Sequence, residues 1–404
     1  MLVTAARVVT SARVLSPGWI EIAGDRIVAV GEGEPAPVPA GAGSDASLRR
    51  DLGDVVLVPG FVDIHVHGGG GGGYTDGLRA SALTARAAHL AHGTTTSMAS
   101  LVTASPEGLL RGVGMLAELA PEHIRGIHLE GPWLSPARAG AHDTTQLRAP
   151  EAAEIDRVIE AAGGALAMVT LAPELPGALD AVRRFVAAGV RVAVGHTDAD
   201  YDTTRRAIDA GATVATHLCN AMRPLHHREP GPSLALLEDP RVFLEVIADG
   251  THLHPALTTG IEAAAGPERT LYVTDAMDAA ACADGEYRLG ALDVTVANGV
   301  ARLTGKDTIA GSTATMDALF RGRALRGAEG PGAAPDPAAL VAAARLTATA
   351  PARAMGWDGV GDLAPGLIAD AVVLGGAPGR AAGELAVLDV LHRGRWLPES
   401  QAEG

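Results

Sequence analysis

Two histidines one residue apart, His65 and His67, stand at the end of an apolar run, Phe61–Val66. Successive side chains of a β-strand point to opposite faces, so both imidazoles face the same side. Two imidazoles at this spacing are a common way of holding a divalent metal ion. The pair alone is a weak signal, because two neighbouring surface histidines also arise by chance.

Four further predicted strands, the third, fifth, sixth and eighth, end in side chains that can bind a metal: Glu130, His196, His217 and Asp275. Residues at the carboxyl ends of barrel strands meet at one mouth, so we expect these side chains to converge with His65 and His67. The set predicts one or two divalent ions, with Glu130 able to bridge two. Asp275 is predicted to be the general base beside a metal-activated water.

Two more histidines follow predicted strands and are candidates for the same mouth. His142 lies in the loop after the third strand, and His252 follows the seventh in Asp249-Gly250-Thr251-His252. Loops at this end of a barrel line the active site, so their position favours a role there. The segment 134–143, which carries His142, Pro136 and Gly140, is predicted to close as a lid over bound substrate.

The elements that must position these residues alternate between strands and helices. Eight predicted strands, separated mostly by Ala/Leu-rich helical stretches, favour a (β/α)₈ barrel; a doubly wound open sheet is the alternative. The strands are Phe61–Val66, Thr94–Met98, Ile124–Leu129, Ala167–Leu171, Arg191–Val194, Thr213–Ala215, Phe243–Ile247 and Thr270–Val273.

Both chain ends have a different sequence pattern, with short apolar runs separated by turns. This pattern predicts a small discontinuous β-sandwich built from residues 1–58 and 365–404, with a Gly/Pro-rich stretch at 31–43. The barrel domain is then expected at 59–364, with a β insertion near 286–303.

The charge and composition exclude several classes of partner. The 404 residues include 32 basic and 47 acidic side chains, a net charge of -15, which argues against nucleic acid or an anionic membrane as a partner. Two cysteines, Cys219 and Cys282, cannot form a disulfide framework. The first residues show no basic region followed by an apolar core, and there is no apolar run of ~18 residues, so we expect a cytoplasmic protein.

The segment Pro59-Gly60-Phe61-Val62-Asp63-Ile64-His65-Val66-His67 resembles the first-strand motif of the amidohydrolase superfamily. Within that superfamily, three blocks are similar to the N-acetylglucosamine-6-phosphate deacetylases. They are His128-Leu129-Glu130-Gly131-Pro132-Trp133 with Gly140-Ala141-His142, Gly195-His196-Thr197 with Thr216–Met222 and Arg228–Gly231, and Val273-Thr274-Asp275 with Ile309–Ser312.

This resemblance implies roles for individual residues. Glu130, His196 and His217 would hold the main metal ion. His65 and His67 would complete a second site with Glu130, and Asp275 would act as general base and acid. The ion would be zinc, with iron, manganese or cobalt as alternatives.

The resemblance also implies a substrate site and a homodimer. His142 and His252 would contact the sugar and its acetamide. Asn220, the backbone of Ala221 and Arg228 would take the 6-phosphate, with Arg228 acting in its own subunit or the neighbouring one. The other expected substrate-binding residues are Ala141, Asp249, Ile309, Ala310 and Gly311.

The implied reaction is hydrolysis of an amide in N-acetylglucosamine 6-phosphate, which releases acetate and glucosamine 6-phosphate in amino-sugar catabolism and cell-wall sugar recycling. Alternatives are a deacetylase for another N-acetyl-hexosamine 6-phosphate, such as galactosamine, or a non-catalytic sugar-phosphate-binding protein. Dihydroorotases and hydantoinases usually bridge two metals with a carboxylated lysine, whereas Lys306 here lies beyond the eighth strand. A deaminase would leave Arg228 and the segment 220–222 without a role.

Overall fold

The computed structural model describes residues 1–35, 49–120, 122–328, 334–376 and 384–398. Part of the predicted Gly/Pro-rich stretch and part of the predicted C-terminal β segment therefore lie outside the described residues. The chain forms two compact units. One contains Met1–Val62, Leu90–Thr96 and Met316–Gly404, and the other contains Asp63–His89 and Ser97–Thr315.

The first unit begins with seven short strands: β1 (Leu2–Ala5), β2 (Arg7–Val9), β3 (Val14–Leu15), β4 (Gly18–Ala23), β5 (Arg26–Glu32), β6 (Arg49–Asp51) and β7 (Val56–Pro59). Four of them form a sheet in the order β5-β4-β1-β6. Alternate side chains of β1 and β4, including Val3 and Ile20, are buried, as expected for a sheet with one covered face.

The eight predicted central strands are present, and a short hairpin follows the first of them. They are β8 (Phe61–Asp63), the hairpin β9 (Gly68–Gly69) and β10 (Gly72–Gly73), then β11 (Thr94–Leu101), β12 (Gly126–Glu130), β13 (Leu166–Leu171), β14 (Arg191–Val194), β15 (Val214–Ala215), β16 (Phe243–Val246) and β17 (Thr270–Tyr272).

These eight strands form one sheet whose spatial order follows the sequence, from β8 to β17. A parallel bridge between Val66 and Ala276 joins the segments after the first and last strands, and the Asp275 N–H donates to the His65 carbonyl at 2.9 Å. The sheet therefore closes at the mouth, which confirms the predicted barrel over the doubly wound alternative.

Seven helices alternate with these strands: α1 (Arg79–Ala91), α2 (Pro106–Leu119), α3 (Ala152–Ala162), α4 (Ala178–Ala187), α5 (Tyr201–Ala210), α6 (Gly231–Glu238) and α7 (Pro255–Ala265). Local signals set their ends: the Ser105 side chain caps α2, Asp200 caps α5, and Gly211 ends α5 in the left-handed conformation. A 3₁₀ turn at Pro136–Arg138 lies in the loop after β12.

A three-stranded antiparallel sheet follows the barrel: β18 (Gly285–Leu289), β19 (Leu292–Ala297) and β20 (Val300–Leu303). It lies where the sequence predicts a β insertion, near 286–303. Its inward side chains Leu289, Val294 and Leu303 pack with Met277 and Ala310 in one buried cluster. The insertion therefore lies against the segments that follow the eighth strand.

The chain returns to the first unit through α8 (Met316–Ala324), α9 (Pro337–Ala344), a π turn at Arg345–Thr349 and α10 (Ala350–Met355), then β21 (Ala371–Gly375), β22 (Ala386–His392) and β23 (Arg395–Trp396). Strands from both chain ends share a sheet in the order β23-β22-β21-β7-β2-β3. One buried cluster joins Val3, Ile20 and Ile27 with Val373 and Leu391. This arrangement is the predicted discontinuous β domain.

The two compact units do not coincide with the predicted domain limits, because the helices α8, α9 and α10 fall in the same unit as the β-sheets. The limits at residues 58 and 365 therefore stay a prediction. Among the described residues, no helix is long and apolar enough to cross a membrane.

Candidate active site

Glu130, the last residue of β12, is the centre of the predicted ligand cluster. Its Oε1 lies 2.9 Å from Nε2 of His217 and 3.0 Å from Nε2 of His196. Its Oε2 lies 3.2 Å from Nε2 of His67 and 3.3 Å from Nε2 of His142. The carboxylate is buried and faces four imidazoles, each from a different strand end or loop, rather than solvent. Both carboxylate oxygens therefore contact imidazoles, and Oε1 also lies 3.6 Å from Nε2 of His65.

The second group contains the histidine pair and Asp275. The Nε2 atoms of His65 and His67 lie 3.1 Å apart. Oδ1 of Asp275 is 3.3 Å from the first and 3.2 Å from the second. His65 and His67 do point to the same side, as their spacing predicts. The four ligand atoms of His65, His67, Glu130 and Asp275 all lie within 4.8 Å of one another.

The hydrogen bonds of the imidazoles test whether this cluster fits a metal ion. Nδ1 of His67 lies 3.1 Å from the Ser100 carbonyl, and Nδ1 of His196 lies 2.8 Å from the Arg138 carbonyl. A carbonyl oxygen accepts, so each Nδ1 carries a hydrogen, and in the neutral ring each Nε2 presents its lone pair to the cluster. Lone pairs directed into one buried point require a cation, so the residues fit a divalent metal.

The charges of the cluster also indicate a site for a cation. Burial raises the pKa of Glu130, but the facing His65 and His196 outweigh it and hold the pKa well below its usual range. Burial lowers the pKa of His67, yet hydrogen bonds to Asp275 and Glu130 raise it to about 9. Buried carboxylates thus demand positive charge, which protons or a divalent ion can supply.

Three candidate ligands occupy an unusual backbone conformation. His196, His217 and Asp275 have φ values of 46°, 28° and 48°. This left-handed region is disfavoured for residues with a Cβ atom, so each strand end is held in a strained turn by its surroundings. Strain of this kind concentrates at functional sites, where it directs side chains that a regular strand would place elsewhere.

His142 differs from the other imidazoles in its proton position. Its Nδ1 accepts a hydrogen bond from the Thr103 backbone N–H at 3.3 Å. The neutral ring therefore carries its hydrogen on Nε2, which donates to Glu130. Burial lowers the pKa of His142 to about 4, which keeps the ring neutral. His142 thus offers the site a hydrogen-bond donor rather than a metal ligand.

A cavity of about 350 Å³ opens above this cluster. Most of the predicted site residues line it: His67, Glu130, Ala141, His142, His196, His217, Asn220, Ala221, His252, Asp275, Ile309 and Gly311. His65 lies behind His67. Asp249 lies behind His252, whose Nδ1 is 2.7 Å from its Oδ2. Ala310 is buried in the cluster formed with the β insertion.

Arg228 is the predicted residue that the structure keeps apart from the cavity. It is exposed, and its guanidinium contacts the neighbouring His227 at 2.7 Å. The cation that lines the cavity, within the part of the chain that the structure describes, is Arg138. Its guanidinium contacts Asp198 at 2.8 Å, and Arg223 contacts the same carboxylate at 3.0 Å. Two guanidinium groups therefore share one carboxylate at this position.

Sequence reasoning missed two buried polar residues beneath the ligands. Glu245 in β16 is fully buried and contacts Nδ1 of His65 at 3.0 Å. His128 in β12 is held between the hydroxyls of Ser100 and Thr170 at 3.0 and 2.8 Å. Burial and the nearby His65 hold the pKa of His128 well below its usual range. The signal for both was present, since each is a polar residue inside an otherwise apolar strand.

Comparison with known families agrees with the barrel and its buried His/Glu/Asp cluster. Residues 56–397 match the family described as the amidohydrolase family. The match spans most of the chain, and the chain belongs to this family. Membership confirms the resemblance drawn from the first-strand motif, and the family together with the buried cluster indicates a divalent metal site.

Several proteins that are similar to this chain are named as deacetylases. A mutant of N-acetyl-D-glucosamine-6-phosphate deacetylase from Mycobacterium smegmatis, solved in complex with N-acetyl-D-glucosamine-6-phosphate, is 50% identical with a TM-score of 0.90 over 98% of both chains. N-acetylgalactosamine-6-phosphate deacetylase of Escherichia coli O157:H7 is 38% identical over 79% of this chain and 83% of its own length. N-acetylglucosamine-6-phosphate deacetylase of Vibrio furnissii is 39% identical over 66% and 67%.

Proposed function

We propose that this protein hydrolyses the acetamide of N-acetylglucosamine 6-phosphate to acetate and glucosamine 6-phosphate. The observation that carries the proposal is the position of Asp275 and His142, both of which border the Glu130-centred cluster in one cavity. A base and a hydrogen-bond donor beside a metal site are the groups that amide hydrolysis requires. Similarity to named deacetylases supports this choice of amide.

The metal ligands divide into two groups that share Glu130. His196 and His217 with Glu130 would hold one ion, and His65 and His67 with Glu130 would hold a second. A divalent ion bound there supplies Lewis-acid activation of water and of the acetyl carbonyl. We propose zinc, with iron, manganese and cobalt as alternatives, because histidine and carboxylate ligands accept all four.

Asp275 is the proposed proton carrier. Burial raises its pKa, but His65 and His67 outweigh burial and hold the pKa far below its usual range, so the side chain is a carboxylate. It accepts the proton of the attacking water as the new C–O bond forms. It then returns that proton to the amide nitrogen as the C–N bond breaks, so the amine leaves neutral.

His142 is the proposed donor to the carbonyl oxygen. Because the Thr103 N–H occupies Nδ1, the Nε2–H of His142 points into the cavity and cannot switch tautomer without losing that bond. A fixed donor stabilises the negative charge that develops on the acetyl oxygen. In the free site this N–H donates to Glu130.

The sugar and its phosphate would bind along the rest of the cavity. His252, oriented by Asp249, is proposed to contact the sugar, with Ile309–Gly311 at its border. Asn220 and the Ala221 backbone are proposed to bind the 6-phosphate. Arg138 is added here as the guanidinium that lines the cavity, since a planar fork of donors suits a phosphate group.

Arg228 keeps its proposed phosphate role only as a group supplied to a neighbouring subunit, because it is exposed and does not line the cavity of its own chain. We therefore propose a homodimer in which the two chains exchange this loop. The proposed compartment is the cytoplasm, and the proposed context is amino-sugar catabolism and recycling of cell-wall sugars.

A second candidate substrate is N-acetylgalactosamine 6-phosphate, which differs only in the orientation of one hydroxyl. Similarity to the Escherichia coli O157:H7 galactosamine enzyme favours it as the alternative. Both substrates carry the same acetamide and the same 6-phosphate, so the chemistry above applies to either.

Release of acetate from metal-loaded protein tests the proposal. The substrates are the 6-phosphates of N-acetylglucosamine and N-acetylgalactosamine and the two unphosphorylated sugars, with the Asp275→Asn variant as the inactive control. We expect the highest kcat/KM for N-acetylglucosamine 6-phosphate. Higher kcat/KM for the galactosamine epimer would reverse the substrate assignment. Absence of acetate from all four sugars would overturn the proposed activity.

A further inference from the structure

A carboxylate lies inside the barrel wall at a position the proposed chemistry does not use. Glu245 is in the middle of β16, between Leu244 and Val246, and its exposed fraction is 0%. Burying a carboxylate is costly unless neighbouring groups donate hydrogen bonds to it. The contacts of its two oxygens therefore indicate what it does.

Both contacts of Glu245 go to predicted metal-binding residues. Its Oε2 lies 3.0 Å from Nδ1 of His65 and 3.2 Å from the backbone nitrogen of His217. Among the described residues its Oε1 has no hydrogen-bond partner. One oxygen of Glu245 thus accepts hydrogen bonds from one residue of each ligand group.

The direction of the first hydrogen bond determines the tautomer of His65. A carboxylate oxygen accepts, so Nδ1 of His65 carries the hydrogen. Its Nε2 lone pair then points toward His67 and Asp275, at 3.1 and 3.3 Å. Carboxylates that accept from a ligating histidine fix the ring orientation and make the other nitrogen a stronger ligand.

In the second hydrogen bond the His217 backbone N–H donates to Glu245, and this bond matters less for the position of the His217 imidazole. His217 reaches Glu130 through its own Nε2, at 2.9 Å, from a strained turn that the rest of its loop also holds. Loss of one backbone contact leaves that imidazole in place. Loss of the contact to His65 removes the acceptor that fixes the tautomer of this imidazole.

We propose that Glu245 is a positioning residue that holds His65 in its ligand state and thereby secures the second metal ion. This inference rests on the proposed metal-dependent function. The ion held by Glu130, His196 and His217 binds without Glu245, whereas the ion held by His65, His67 and Glu130 requires it.

Cobalt binding measures this selectivity without any turnover. Metal-free protein is titrated with Co²⁺, and bound ions are counted by visible absorbance and by elemental analysis. We expect two ions per chain in the wild type and one in Glu245→Ala. Glu245→Gln, whose amide oxygen still accepts from His65, should regain the second ion with affinity lowered about 10–100-fold.

The matched control is Glu154→Gln, which alters another buried carboxylate. Glu154 is bonded to Arg148 and Trp133 and touches none of the proposed ligands, so both cobalt ions should remain. If Glu245→Ala does not fold, Glu245→Gln carries the test through its second cobalt constant. Wild-type binding of both ions by Glu245→Ala, or unchanged constants in Glu245→Gln, would overturn the inference.

The outcome is independent of the substrate assignment. Acetate release that fails for every sugar would leave cobalt stoichiometry unaffected and would reject the proposed activity alone. Deacetylation by a protein whose cobalt constants do not depend on Glu245 would keep the activity and reject the positioning role.

Discussion

The Nε2 atoms of His196 and His217 lie 3.1 Å apart although the two residues end different strands. The same separation occurs between Nε2 of His65 and Nε2 of His67. Two nitrogen ligands about 2.0–2.1 Å from a zinc ion in a tetrahedral site are separated by a distance of this order. Each histidine pair thus has the spacing of two ligands to one ion, and Glu130 lies between the pairs.

Removal of the metal should abolish acetate release and lower the melting temperature. An ion that binds the native state at 100 times its Kd stabilises the fold by about 2.7 kcal/mol. Calorimetry of chelator-treated and zinc-reloaded protein measures the change, and reloading should restore both properties. Equal melting temperature and equal turnover before and after verified metal removal would contradict the metal site.

Asp275→Asn should lower kcat by about 10²–10⁴, because proton transfer by a positioned group contributes that much. The amide keeps the shape of the side chain and an oxygen that can face His65 and His67. Metal content measured on the same sample is the control, and it should stay near the wild-type value. Full turnover by a variant with wild-type metal content would show that another group is the base.

His142→Gln and His196→Gln should separate a donor from a ligand. Loss of one oxyanion donor costs about 10²–10³ in kcat, and His142→Gln should show this loss with unchanged metal content. His196→Gln should lose metal, because the variant lacks the Nε2 lone pair that His196 directs into the cluster beside Glu130. A loss of metal in both variants would place His142 among the ligands instead.

The barrel and the ligand cluster could be predicted because both follow periodic or positional rules. Strand ends fix which side chains meet, so sequence position alone predicts that Glu130, His196, His217 and Asp275 lie together. The backbone turns that orient them could not be predicted. Left-handed φ values at His196, His217 and Asp275 depend on packing of the surrounding loops, and these residue types do not predict them.

Residues that act across the sheet were harder to predict. Glu245 contacts His65 across 180 sequence positions, and only the closed barrel brings them together. Arg138 and Arg223 both form ion pairs with Asp198, because their loops converge at the mouth. The motif assigns Arg228 to the phosphate, whereas its exposed position outside the cavity of its own chain depends on loop conformation.

Asp239→Asn should destabilise the fold in a pH-dependent way. A hydrogen bond from Arg241, against the opposing effect of burial, lowers the pKa of Asp239 to about 2, and Arg205 adds to the effect. The stabilisation is therefore complete above the unfolded pKa near 4 and is lost as pH falls toward about 2. At pH 7 the variant should lose about 1.5–3 kcal/mol of unfolding free energy.

Urea unfolding of wild type and variant at a series of pH values tests this expectation, since other titrating groups cancel in the difference. Asp180→Asn is the control, because Asp180 pairs with Arg183 on the surface with 88% of its side chain exposed. Exposed pairs contribute about 0–1 kcal/mol. A difference between wild type and Asp239→Asn that is constant from pH 7 to pH 3 would disprove the assigned cause.

Arg138→Gln should raise KM for the 6-phosphate sugar more than it lowers kcat. A hydrogen bond to a charged group contributes about 1.5–3 kcal/mol, so the increase in KM should be about 10–100-fold. Kinetics with the unphosphorylated sugar should not change, because that sugar has no anion for the guanidinium. Arg223→Gln is the matched control, since Arg223 shares Asp198 but does not line the cavity among the described residues.

Arg228→Gln completes the comparison and separates the two sources of positive charge. If a dimer supplies Arg228 to the neighbouring site, both Arg138→Gln and Arg228→Gln should raise KM for the phosphate, and Arg228→Gln should do so only in dimeric protein. If the cavity is complete within one chain, Arg138→Gln alone should have the effect, because the guanidinium of Arg228 is engaged with His227 outside it. Unchanged KM in Arg138→Gln would remove Arg138 from the phosphate site and leave the charge to the partner chain.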